Sequence, residues 1–196
     1  SHLAGPGGQP LLECTIGQAF DDTVARFGDR DGLVVRHQGV RLSYREYRER
    51  VDALACGLLT LGVRKGDRVG IWAPNCAEWS LTQFATARIG AIMVCINPAY
   101  RVWELEYALN KVDCNVLVTA ELFKTSHYLD MLAELAPELR RCAPGELDAA
   151  RLPHLRTVIR LGDDDSPGMF RFEEVCRRGG ERERTRLAEL AGTLDC

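Results

Sequence analysis

Residues 68–96 decide the fold. They open on Arg68-Val69-Gly70-Ile71-Trp72-Ala73, break at Pro74-Asn75, run as a helix-compatible stretch to Ile89, stop at Gly90, and close on Ala91-Ile92-Met93-Val94-Cys95-Ile96. Each apolar run is continuous rather than alternating, as expected of a strand covered on both faces. Two such strands joined by a helix predict a parallel pair linked by a right-handed crossover. Asn75 is the expected N-cap of that helix, with Glu78 at its third position.

The same rhythm continues downstream. Asn97-Pro98 breaks the chain, Val102 to Val112 reads as a helix, and Asn115 to Thr119 reads as a third strand. A helix is expected from Glu121 to Ala136, stopped by Pro137, and a fourth strand from Arg156 to Leu161. Gly162-Asp163-Asp164-Asp165-Ser166-Pro167-Gly168 reads as a loop, followed by helical stretches near 171–178 and 181–191.

Upstream, Thr15 can cap a helix through Phe27, with Gly28 as its stop. Leu33 to Arg36 and Val40 to Leu42 flank His37-Gln38-Gly39 and predict a hairpin. Ser43-Tyr44-Arg45-Glu46 has the spacing of a capping box for a helix that ends at Gly62. The fold class is therefore α/β, a doubly wound, mostly parallel sheet with a small N-terminal hairpin. Residues 1–14, with Gly5-Pro6-Gly7-Gly8, read as a flexible lead-in, and 15–196 as the folded part.

Composition fits an ordinary globular chain. Apolar residues make up 46% and the net charge is −3, too apolar and too nearly neutral for a disordered chain. Basic and acidic residues are interspersed, so no basic face for nucleic acid is expected. Even Arg177-Arg178-Gly179-Gly180-Glu181-Arg182-Glu183-Arg184 is diluted by glutamates and reads as a solvated helix face. No apolar run is long enough to span a membrane as a helix. The eight cysteines form no C-x-x-C, which predicts free thiols in a reducing compartment.

Local motifs supply no chemistry. The sequence holds no G-x-x-x-x-G-K-[ST], no G-x-G-x-x-G after a strand and no G-x-S-x-G. Asp163-Asp164-Asp165 lacks the alternating spacing of a cation loop and reads as a solvated turn. His37, His127 and His154 are expected at a hairpin tip, a helix surface and a loop, and a Cys–His nucleophilic pair stays open at this level. Trp79, Phe84 and Trp103 read as core aromatics, with an acyl tunnel as the other option.

Three stretches carry a resemblance. Leu42-Ser43-Tyr44-Arg45-Glu46-Tyr47, then Lys65 through Trp79, then Ala87 through Pro98 occur in order. The chain resembles the acyl-adenylate-forming superfamily, the acyl-CoA synthetases. Val94 through Tyr100, Glu104 through Val112, Ala143 through Leu147 and Arg151 through Ile159 resemble its mitochondrial medium-chain ligases more closely.

The resemblance implies a partial N-terminal domain of an AMP-forming ligase over 15–196. It also implies ATP, Mg2+ and CoA as cofactors of the parent enzyme, a medium-chain fatty acid as substrate, and a mitochondrial location, although no presequence is visible. The superfamily's Ser/Thr/Gly-rich phosphate loop, nucleotide motifs and adenylation lysine are not found in these 196 residues. No catalytic residue carries over, none of the cofactors is expected to bind tightly here, and the piece alone is expected to be inactive. One site residue is implied: Lys124, otherwise an exposed helix lysine, lies where some relatives contact the CoA phosphates. The other expectation is a non-catalytic binding or dimerisation module, self-associating through uncovered sheet edge and helix faces.

Overall fold

The computed structural model describes residues 12–195. Residues 1–11 and Cys196 fall outside that range, and with them most of the expected lead-in. The N-terminal helix α1 (Ile16–Phe27) starts at a reciprocal cap. Thr15 Oγ1 accepts from the Gln18 amide at 3.1 Å, and Gln18 Oε1 accepts from the Thr15 amide at 2.8 Å. The antiparallel hairpin of β1 (Asp31–Val35) and β2 (Val40–Ser43) turns through Arg36–Gln38. It feeds α2 (Tyr44–Thr60), whose cap is the predicted Ser43–Glu46 box. Hydrogen bonds from the Ser43 amide and hydroxyl hold the Glu46 carboxyl below its usual range.

The central sheet follows. Its elements are β3 (Arg68–Trp72), α3 (Ala77–Ile89), β4 (Ile92–Cys95), α4 (Val102–Lys111) and β5 (Val116–Thr119). A small antiparallel pair, β6 (Leu122–Phe123) and β7 (Ser126–His127), precedes α5 (Tyr128–Leu135). Then come β8 (Thr157–Arg160), β9 (Met169–Arg171), α6 (Phe172–Arg178) and α7 (Glu181–Ala191). The large sheet has the order β4-β3-β5-β8-β9, with every neighbouring pair parallel.

The alternation of side chains sends Val69, Ile71, Val116, Val118 and Ile159 to one face, against α1, α2, α3, α6 and α7. Trp72, Leu117 and Val158 go to the other face, against α4 and α5. Gly57 lets α2 and α6 cross closely, since a Cβ there would lie 2.1 Å from the Val175 carbonyl oxygen. Arg88, on α3, ties three helices together. Its Nη1 donates to both oxygens of Asp21 at 2.8 and 2.9 Å, and its Nε lies 2.6 Å from Asp52 Oδ1. Burial raises the Asp52 pKa, and the nearby Arg88 and Arg48 offset only part of that rise.

Several expectations need correction. The segment from Glu121 is not a helix until Tyr128. The Leu122–His127 and Phe123–Ser126 pairs form instead, around a turn in which Lys124 has φ +54°. The helix α3 begins after Cys76, not Asn75, and neither side chain caps it. A fifth parallel strand, β9, precedes α6; at three residues it carries too little pattern to be read. The strand β4 is not buried: Ile92 is 53% exposed and Cys95 lies on the surface, because β4 has one strand neighbour and is the edge of the sheet. Trp103 is no core residue, being 71% exposed on the outer side of α4. Trp79 and Phe84 do pack on the core, Phe84 stacking on Phe20 at 4.4 Å.

Candidate functional site at the carboxyl edge of the sheet

From β3 the chain moves outward to β4, then crosses back past β3 to β5. The reversal places α3 and α4 on opposite faces and opens a switch point between the carboxyl ends of β3 and β5. Ligands of open α/β sheets bind outside such a point.

The end of β3 is locked by aromatic packing. Trp72 is fully buried and stacks on Tyr128 with ring centroids 3.6 Å apart. Its indole N–H donates to the Asn97 carbonyl at 3.2 Å, and the Tyr128 hydroxyl donates to the Pro98 carbonyl at 2.5 Å. The loop after β4 is thereby strapped to β3 and α5. Burial pushes the Tyr128 phenol up to about 12, so it remains a donor at neutral pH.

The amino end of α3 also faces this edge, but it is partly capped. Gln38, from the β1–β2 turn, accepts from the Ala77 amide at 2.7 Å and donates to Glu78 Oε2 at 2.9 Å. A side chain distant in sequence therefore supplies the cap expected of Asn75. Helix amino termini attract anions through free amides; here one of those amides is taken.

Beyond β5, Lys124 occupies the tip of the β6–β7 hairpin and is exposed. Its Nζ sits 5.2 Å from the Phe123 ring centroid, and among the described residues it has no ion-pair partner. It therefore offers a free cation next to the switch point, on a hairpin rather than the helix surface expected. At the end of β8, Arg160 is 4% exposed and hydrogen-bonded to Glu121, Ser166 and the Leu161 carbonyl. Nothing local in the sequence marked Arg160. An arginine closing an apolar strand was the available signal.

The other candidates disperse. Asp164 lies 3.8 Å from Arg160 and Asp165 lies 3.2 Å from Arg171, so the acidic turn engages cations of the chain itself. Among the described residues no three His, Cys, Asp or Glu side chains converge as metal ligands. These residues do not fit a resident Mg2+. His37 is in the hairpin turn as expected, while His127 ends β7 instead of lying on a helix. His154 Nε2 approaches Asp113 Oδ1 at 3.2 Å, but this exposed pair flanks the amino ends of β5 and β8, opposite the switch point.

The seven cysteines among the described residues are free. Burial pushes the Cys76, Cys114 and Cys176 thiols up to about 12, which leaves them protonated and poorly nucleophilic at neutral pH. A cleft of about 480 Å3 near Asp52, Cys56, Arg88 and Leu187 lies between helices, away from the strand ends. No described helix is long and apolar enough to cross a membrane.

A five-stranded parallel sheet with helices on both faces and a strapped carboxyl edge defines an open α/β domain. The pattern of the AMP-binding enzyme family matches residues 20–178, and the chain belongs to that family. It is similar to the mitochondrial medium-chain acyl-CoA ligase ACSF2 of Danio rerio, at 41% identity over 196 residues, covering 100% of this chain and 32% of the relative. The Homo sapiens ACSF2 is 43% identical over 183 residues, covering 93% of this chain and 30% of the relative. Among solved structures, the anthranilate CoA ligase AuaEII superposes with a TM-score of 0.71 at 20% identity, covering 87% of this chain and 29% of that one. That likeness shows the fold. The chain spans about a third of the length of the curated relatives it matches.

Proposed function

We propose that these residues serve as the amino-terminal part of a mitochondrial medium-chain acyl-CoA ligase. The observation that carries this reading is the 41% identity to ACSF2 across the whole chain. In the proposed reaction a fatty carboxylate attacks the α-phosphorus of ATP and pyrophosphate leaves. The CoA sulfur then attacks the acyl carbonyl, losing its proton, and AMP leaves. Both steps gather negative charge and need preorganised donors and cations.

This chain's share is positional. The Trp72–Tyr128 stack fixes the strand ends, and Lys124 supplies a cation for a CoA phosphate. The 196 residues contain no phosphate-cradling loop, so the chain alone is expected to be inactive and to hold ATP and CoA weakly. The test is a chimera in which residues 15–195 replace the matching stretch of human ACSF2. It should form octanoyl-CoA in an ATP- and CoA-dependent way, faster than it uses palmitate. A folded chimera with no ligase activity, beside an active human enzyme, would reject the reading.

A second reading, a non-catalytic association module, draws on the exposed Ile16 and Cys95 beside the half-buried Trp79 and Met93. Sedimentation equilibrium separates the two. A discrete dimer lost in Ile16→Lys favours association, and a monomer at all concentrations rejects it.

A further inference from the structure

Arg160 is a costly residue to place at the end of a central strand. Taking a guanidinium out of water is unfavourable unless its donors are met, and at 4% exposure this one is nearly sealed. Its donors are met by two different loops. Nη2 donates to Glu121 Oε2 at 3.2 Å, just after β5, and lies 3.8 Å from Asp164 Oδ2. Nη1 donates to Ser166 Oγ at 3.0 Å and Nε to the Leu161 carbonyl at 3.3 Å, both after β8. A rigid planar fork fixes such partners relative to one another, which a flexible ammonium does not.

Glu121 is the base of the β6–β7 hairpin. Its carbonyl accepts from the Tyr128 amide at 2.9 Å, which closes the hairpin, while its carboxylate is held by Arg160. Two side chains anchor the base of the hairpin, beside the Ala120 amide's bond to the Trp72 carbonyl at 3.1 Å. Tyr128 is pinned by its stack on Trp72, and Glu121 is pinned by Arg160. With Arg160 removed, the Tyr128 side would stay fixed and the Glu121 side would be released. Lys124, in its left-handed turn at the far end, would then move with the released strand.

We propose that Arg160 is a positioning residue: it sets the β6–β7 hairpin against the sheet and so fixes where Lys124 presents its charge. The consequence for catalysis rests on the proposed reading of Lys124 as a CoA-phosphate contact. Arg160 itself is too buried to touch the ligand.

The first test uses this chain as it stands. Hydrogen exchange of Arg160→Met should show lost protection at residues 122–128 with β3 and β5 unchanged. Unchanged hairpin protection, or an equal loss across the whole sheet, overturns the proposal. The second test uses the ACSF2 chimera. Arg160→Met should raise the KM for CoA by about fivefold or more, while the KM for octanoate in CoA-independent ATP–pyrophosphate exchange stays within about twofold. Arg160→Lys, which keeps the charge but not the fork, should fall between. A general loss of stability would depress both half-reactions together and count against the proposal. Lys124→Ala separates the two ideas. If it leaves the CoA KM unchanged, the Lys124 reading fails and hydrogen exchange alone judges Arg160. If it raises the CoA KM and Arg160→Met does not, the Arg160 proposal fails.

Discussion

The strands β4 and β5 look alike in sequence and differ in the folded chain. Ile92-Met93-Val94-Cys95 and Val116-Leu117-Val118-Thr119 are both unbroken apolar runs. All four residues of β5 are buried, whereas no residue of β4 is, and Ile92 and Cys95 are exposed. The cause is position: β5 lies between β3 and β8, and β4 pairs with β3 alone. An apolar strand therefore reports what it can pack against, not that it is packed. A central strand holds this fold together, while the edge strand leaves apolar surface exposed.

The largest test of that contrast is truncation at each strand. Leu117→Ala should cost about 2–5 kcal/mol, as other fully buried leucines do. Ile92→Ala should cost under about 1 kcal/mol. Urea unfolding midpoints read both, and equal costs would break the comparison.

Alkaline pH probes the centre next. Cys114, whose thiol donates to the Val116 carbonyl of β5 and lies 3.7 Å from the Arg68 carbonyl of β3, is pushed by burial up to about 12, above the usual thiol value near 9. Above pH 9 the unfolded chain releases this proton while the native chain keeps it. The contribution of Cys114 is whole below pH 9 and is lost as pH rises toward about 12, at up to about 1.4 kcal/mol per pH unit. Cys114→Ala should flatten that part of the stability curve.

A smaller effect is expected where the edge is tied back. Tyr128→Phe removes the hydroxyl that holds Pro98, just beyond β4, and should cost about 1 kcal/mol in thermal or urea unfolding. The mildest test costs no stability. Alkylation at pH 8 followed by mass spectrometry should mark Cys95 well before Cys114, since Cys95 is exposed and Cys114 is 1% exposed.

How much was legible follows the same division. Local rules marked what local chemistry makes: the Thr15 and Ser43 boxes both form with their predicted partners. The strand–helix alternation also predicted the parallel sheet. What failed depends on partners distant in sequence. Asn75 looked like a cap, but Gln38 arrives from another element to cap α3. Glu121 to His127 looked helical, yet Tyr128 seeks the Trp72 ring and Glu121 is drawn to Arg160, which leaves the intervening residues to pair as a hairpin. Trp103 looked like core because its type usually is, and no strand or helix covers it. At the candidate site, Lys124 is legible only through the resemblance. Arg160 is not legible locally, since its contacts form only once two loops meet.

Under the proposed function these residues scaffold an acyl-CoA ligase and do not by themselves make its bonds. Octanoate-dependent ATP–pyrophosphate exchange, measured side by side for the 196-residue chain and for the ACSF2 chimera, tests it most directly. Exchange by the chimera, with none above background by the chain, is the expected result. Robust exchange by the chain alone, or none by a folded chimera, would contradict it.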